Sequence, residues 1–213
     1  MPDPFHQLIA DAQTFLADLA ANNSRDWFNT HKSRYETELK RPAILLLEQF
    51  AHSIGDGTGI KLFRPQRDVR FSNDKTPYNT HLHLLWTLPE NGGLPVGFFF
   101  GVSPSYVSVG GGVMGFDQSG LTAWRDAVDS EVGDRLIDLL ADYETQGFRI
   151  AQPELKRVPS PFDKAHPNGD LLRRKSITVW RDLPEASHSE PLGALGDTYK
   201  ALDPFMALLS NDI

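Results

Sequence analysis

Residues 63–83 read FRPQRDVRFSNDKTPYNTHLH, and how this stretch folds decides how the chain on either side of it is arranged. Its centre, Ser72 to Pro77, is turn chemistry: the Asn73 and Asp74 side chains can bond nearby backbone N–H groups, and Pro77 fixes its own φ. Before the turn, Leu62 to Phe71 is expected as one strand, with Val69 and Phe71 on one face and Asp68 and Arg70 on the other. After it, His81 to Leu88 is expected as a second strand, with helix left open for so short a run. The stretch also gathers Arg64, Arg67, Asp68, Arg70, Asp74, Lys75 and Tyr78, more polar equipment than a turn requires.

Upstream, Asp3 before Pro4 predicts a helix start, and Leu8, Ile9, Ala12, Phe15, Leu16 and Leu19 fall on one helical stripe that ends near Asn22 or Asn23. Ser24 is placed to cap a short second element carrying Arg25, Trp27 and Phe28. A longer pattern follows through Tyr35, Leu39, Leu46, Phe50 and Ile54, with a kink or a restart expected at Pro42. Gly55, Gly57 and Gly59 then hand over to extended chain.

Downstream, Leu94 to Val102 and Ser105 to Val109 predict a hairpin about Ser103 and Pro104. The triple glycine Gly110 to Gly112 reads as a bulge or a close backbone approach, with a ligand-facing loop as the alternative; neither GxxxxGK[ST] nor GxGxxG is present. Asp117 or Ser119 is placed to cap a helix that turns Leu121, Trp124 and Val128 inward. Leu136, Ile137, Leu140 and Tyr143 form a second stripe after Gly133, and Gly147 is placed to end it in the left-handed conformation. Pro153, Pro159, Pro161 and Pro167 preclude a long helix over residues 148–176, and Ile177 to Trp180 is extended in character. Leu192, Leu195, Tyr199 and Leu202 close the chain, with a restart expected at Asp203-Pro204. With helices at both ends and strands between them, the pattern predicts an α+β fold. It is expected as a single domain over residues 1–213, with a mostly antiparallel central sheet and helices packed against it.

A chain of 213 residues is long enough to bury a core without staples, and the absence of cysteine removes disulfides and thiolate chemistry. No stretch approaches the roughly 20 apolar residues that cross a bilayer, and no basic N-terminal region leads into an apolar one, so a cytoplasmic protein with no membrane partner is expected. The net charge of −7 argues against a nucleic-acid partner, but it is unevenly spread: residues 61–81 carry five Lys or Arg against two acids, whereas residues 117–146 carry two against eight. The sequence calls for no cofactor and leaves the oligomeric state open.

Arginine offers a rigid fork of donors for carboxylate or phosphate, and lysine a mobile charge. Arg67, Arg70 and Lys75, with Arg25 as a further candidate, are therefore expected to bind a small anionic ligand, phosphorylated ones included, in a cleft lined by residues 67–78. Were the site catalytic, Asp74 would be its acid or base, Lys75 and Tyr78 its positioning donors. The competing reading pairs Arg67 with Asp68, or Arg70 with Asp74, only to hold the turn; it leaves a noncatalytic interaction domain. His81 and His83 share a face of a strand and are candidate metal ligands for a hydrolase, with His31, His166, Asp68 or Asp74 as the third. Ser72, Ser105 and Ser108 lack a nucleophile elbow, and Arg173, Arg174 and Lys175 read as a solvated basic face.

Four blocks carry a resemblance: FLADLAANNSRDWFNTHKSRYE at 15–36, RDVRFSNDKTPYNTH at 67–81, SYVSVGGGVMG at 105–115 and HPNGDLLRRKSI at 166–177. Together they resemble the DUF2461 family, conserved proteins with no established activity. The resemblance implies one conserved domain and makes Arg67, Asp68, Arg70, Phe71, Ser72, Asp74, Lys75, Pro77 and Tyr78 the hallmark positions, with Trp27, Phe28 and Gly112 from the other blocks. The family pattern commonly carries lysine where this chain has Asn79, which weakens any phosphate role built on that position. It supplies no mechanism.

Overall fold

The computed structural model describes residues 3–89 and 92–213. Helix α1, Leu8–Ala21, buries Leu8, Ile9, Ala12, Phe15, Leu16 and Leu19, the stripe the sequence predicts. Each such side chain contributes roughly 1.5–3 kcal/mol of burial where it is a full aliphatic or aromatic group. Asp3 opens a turn as predicted, its carboxylate accepting the Phe5 N–H at 2.8 Å and also the Leu192 N–H at 2.9 Å. That turn closes with three-residue bonds, His6 N to Asp3 O at 3.1 Å and Leu8 N to Phe5 O at 2.9 Å, so the α-helix itself begins four residues after Pro4.

Ser24 caps α2, Arg25–Arg34, by accepting the Trp27 N–H. The chain then passes without a break through a π-helical turn, Tyr35–Lys40, into α3, Arg41–Ile54. The predicted kink at Pro42 takes this form for a chemical reason. Proline has no N–H to return to the fourth residue before it, and the Arg41 N–H bonds Glu36 O, five residues back, which widens the helix.

Six strands follow: β1 Gly59–Leu62, β2 Leu82–Thr87, β3 Gly97–Val102, β4 Val107–Val113, β5 Arg149–Ile150 and β6 Ile177–Asp182. They form one sheet in the order β1-β2-β3-β4-β6-β5, an antiparallel α+β arrangement with flanking helices. Between β4 and β6 lie α4, Gln118–Val128, capped by Asp117; α5, Glu131–Thr145; and the short α6, Gly169–Leu172. The last helix is α7, Pro191–Asn211.

The chain divides into two compact units. The first is Met1–Thr87, Phe99–Val109 and Asp182–Thr198. Its core sets the Phe15 ring against Trp27, Phe28 and Tyr35 at centroid distances of 5.6, 6.3 and 5.9 Å. Strand β2 alternates, with Leu82, Leu84 and Trp86 buried; the Trp86 indole N–H bonds Leu47 O at 2.9 Å.

The second unit is Leu88–Phe98, Gly110–Arg181 and Tyr199–Ile213. Here the Trp124 indole N–H bonds Leu171 O at 3.0 Å, tying α4 to α6, and Gly147 ends the α5 segment at φ +81° as predicted.

Four expectations are corrected. The strand predicted over Leu62 to Phe71 stops at Leu62, because Pro65 cannot donate to a ladder and polar side chains claim the backbone beyond it. Strand β4 runs on to Val113 through all three glycines. Ile137 is half-exposed rather than part of the α5 stripe. Finally, α7 does not restart at Pro204. The Tyr143 hydroxyl donates to Ala201 O at 2.8 Å in the turn before it.

The triple glycine is a close approach. A Cβ on Gly112 would lie 2.1 Å from Ile177 O, and its φ of +130° disfavours any L side chain. Gly112→Ala is therefore expected to cost at least about 3 kcal/mol in urea unfolding, whereas Gly115→Ala, with nothing within 4 Å of its Cβ, stays within about 0.5 kcal/mol of wild type.

Candidate functional site

The candidate site is the loop of residues 63–81 that joins β1 to β2 within the first unit. Main-chain bonds close its base: Phe63 N to His83 O at 3.0 Å, Asn79 N to Pro65 O at 2.7 Å and Arg67 N to Pro77 O at 2.9 Å. The Asn23 side chain anchors it, donating to Tyr78 O at 2.9 Å and accepting the Tyr78 N–H at 3.1 Å. The Tyr78 ring lies stacked on Phe28, centroids 4.1 Å apart, and is buried.

Inside the loop, the Arg67 guanidinium acts as a staple. Its Nη1 donates to Asp74 Oδ2 at 2.5 Å, to Thr76 O at 3.2 Å and to Thr76 Oγ1; its Nη2 reaches Ser72 Oγ at 3.5 Å. Asp74 also accepts from Thr76 N at 2.9 Å and Thr76 Oγ1 at 3.0 Å. The Thr76 N–H, then Arg67, then the Thr76 hydroxyl hold the Asp74 carboxyl down to about 2.

On the outer surface the pattern differs. Arg70 grips Asp68 with Nε to Oδ1 at 2.9 Å and Nη2 to Oδ2 at 2.6 Å, and that contact lowers the Asp68 carboxyl below its usual range. Lys75 Nζ donates to Val69 O at 3.0 Å. Phe71 stands at the tip 96% exposed, with the Arg70 guanidinium carbon 5.9 Å from its ring centre. Arg64 is exposed and makes no hydrogen bond or ion pair among the described residues, and Arg25 is exposed at the start of α2.

Thus the ion pairs weighed from sequence form with exchanged partners: Arg67 takes Asp74 and Arg70 takes Asp68. A small hollow beneath the loop, with room for about one water molecule, is lined by residues including Phe15, Tyr35, Phe63, Pro65 and His81. Arg67, Arg70 and Lys75 are not among its lining.

His81 and His83 lie together, their rings stacked 3.8 Å apart, and His83 Nε2 pairs with the Tyr106 hydroxyl at 2.8 Å. Burial lowers both imidazoles, and with His81 alongside it pushes His83 down to about 4. No third ligand joins them. His31 stacks on Trp27 at 4.0 Å, His166 bonds Asp129 at 2.9 Å, and the two loop carboxylates hold arginines. Among the described residues no group of three or more His, Cys, Asp or Glu is placed to hold a metal ion.

The basic run at 173–175 is not a solvated face throughout. Arg173 pairs with Asp170 at 2.5 Å, and Arg174 is buried with Nη1 on Ala151 O and its Nε unpartnered, so desolvation lowers it. Asn23, Thr76 and Tyr106 were not singled out from sequence. Asn23 reads locally as a helix end, and nothing local points to a partner 55 residues away.

Residues 11–207 match the model of a family described as "Conserved hypothetical protein (DUF2461)". No curated protein and no solved structure matches the chain.

Because His83 is neutral in the fold down to about 4, whereas an unfolded imidazole protonates near 6.5, the unfolded chain binds more protons between those values. Stability should therefore fall as pH drops from 6.5 to 4. Urea unfolding of His83→Gln, which retains a partner for Tyr106, should show a shallower loss over that window.

Proposed function

Because the chain belongs to the DUF2461 family, whose description names no activity, we propose a function from the loop itself: it is a binding element for an anionic ligand. Arg64, Arg70 and Lys75 are its contacts, Arg25 adds positive charge at the start of α2, and the Arg67–Asp74 staple keeps its shape. The observation that supports this is the division of labour among the cations. One arginine is spent inside the loop on four acceptors, while Arg64, Arg70 and Lys75 are exposed, Arg70 beside the exposed Phe71 ring.

Residues 64–78 carry four cations against two carboxylates on a chain of net charge −7, so the loop is a local attractor for negative charge. A loop held by its own hydrogen bonds loses little freedom when a ligand arrives, which lowers the cost of binding. Lys75 uses one donor on Val69 O and keeps the rest of its ammonium for a guest.

Binding, not proton transfer, is what the geometry favours. A carboxyl held down to about 2 is a weak base near neutrality, which counts against Asp74 as a general base. Tyr78, buried against Phe28, does not offer a ligand its ring.

The test titrates pyrophosphate into isotopically labelled protein at constant ionic strength. Saturable shifts are expected at the Arg70, Phe71 and Lys75 amides. Lys75→Ala should weaken the apparent affinity about two- to fivefold, as for an exposed ion pair, with the melting temperature unchanged. Shifts that only track salt, or a Lys75→Ala variant that melts early yet binds as before, would reject the reading.

A further inference from the structure

Strand β1 stands at the end of the strand order, so among the described residues only one of its sides is paired. The register shows which groups face the empty side. Phe63 N bonds His83 O, and the antiparallel pairing continues as Lys61 opposite Leu85 and Gly59 opposite Thr87. In an antiparallel ladder hydrogen-bonded pairs recur every second residue, so residues 59, 61 and 63 turn their N–H and C=O toward β2. Ile60 and Leu62 turn theirs outward, and no described hydrogen bond uses those groups.

The flanking side chains are not those of a closed edge. Ile60 is 44% exposed and Phe63 39% exposed, and Lys61 lies with its Nζ 4.6 Å over the Phe63 ring. The next residue is Arg64, and the chain then enters the loop that carries Arg70, Phe71 and Lys75.

We propose that the free edge of β1 accepts an extended acidic segment of another protein as an added strand, with Ile60 and Leu62 supplying the main-chain bonds. The side chains Lys61, Arg64, Arg70 and Lys75 meet its carboxylates. This deepens the anion-binding reading of the loop and rests on it. Main-chain pairing supplies affinity in such strand addition, and side chains at alternate positions supply selectivity.

Charge decides the kind of partner. Two copies of this chain pairing edge to edge would bring Lys61 and Arg64 of each against those of the other, and opposed like charges are destabilising. A lysine on an edge strand guards against indiscriminate pairing, but it admits a segment carrying glutamate or aspartate. The apolar positions ask that segment to alternate acidic and aliphatic residues.

The test uses a capped six-residue peptide alternating glutamate and valine, with the lysine and valine counterpart as control, added to the full chain. At saturation the acidic peptide should slow hydrogen exchange at the Ile60 and Leu62 amides at least tenfold, and the basic one should not. Ile60→Pro, which leaves Leu62 as the amide to follow, should abolish its protection while leaving the pyrophosphate response of Arg70 and Lys75 intact, since the lost N–H faces away from β2. If that variant fails to fold, Lys61→Glu carries the test, with at least a threefold loss of acidic-peptide affinity expected. Peptide-induced shifts at Arg70 and Lys75 with unchanged exchange at Ile60 and Leu62 would overturn the edge proposal and leave the anion reading standing. Silence at both places toward peptide and pyrophosphate alike would overturn the two together.

Discussion

The backbone of β4 sits so close to its neighbour strand that no side chain fits at Gly110 or Gly112. A Cβ on Gly110 would lie 2.5 Å from Val179 O, and one on Gly111 would lie 2.7 Å from the Met206 sulfur. Every residue from Val107 to Val113 is buried. Interiors are packed at crystal-like density, so a methyl group on Gly110 or Gly112 must displace backbone, and one on Gly111 must displace the Met206 side chain. Glycine is thus a steric requirement at Gly110 and Gly112, the close approach expected from the sequence, and the stretch is strand and not a ligand-facing loop. At the other end of the strand the same path places Tyr106 where its hydroxyl reaches His83.

Where the first unit leaves the sheet, side chains take over the work of a ladder. Thr76 O is met by Arg67, Val69 O by Lys75 and the Ser72 N–H, and both polar groups of the Tyr78 backbone by Asn23. Each such bond is worth only about 1 kcal/mol net. Yet each also answers a backbone group that would otherwise need water or a strand partner, which is why residues 63–81 hold one shape without forming a strand. The loop is ordered by polar accounting more than by burial, and that leaves its tip, Phe71, free of the core.

Periodicity made the helical half of the molecule legible. The α1 stripe, the Ser24 cap, the Asp117 cap and the glycine after α5 each follow from local spacing or from one residue's conformational preference. The strand expected through Phe71 failed because alternation of Val69 and Phe71 with Asp68 and Arg70 imitates a strand, while Pro65 and the staple are indifferent to it. Pro204 misled for the opposite reason. The helix runs on through it, with Tyr143, distant in sequence, donating to Ala201 O in the adjoining turn. The cations of the site were visible as residue types, but their pairing was not, since Arg67 reaches seven residues ahead to Asp74 and not to the adjacent Asp68.

That choice of partner bears on how a guest could enter. Asp68 and Asp74 are like carboxylates on one loop, each facing one arginine, but they are held differently. Asp74 answers Thr76 as well as Arg67, so an anion that displaced it would release the Thr76 backbone and hydroxyl at the same time. Asp68 is bound to the side chain and the amide of Arg70, a residue two positions away, in a pair open to solvent. Exposed pairs of this kind contribute little and exchange readily. On the binding reading proposed for this loop, an incoming carboxylate or phosphate would share or replace Asp68 on Arg70, close to Phe71, while the Arg67–Asp74 staple keeps the loop's shape.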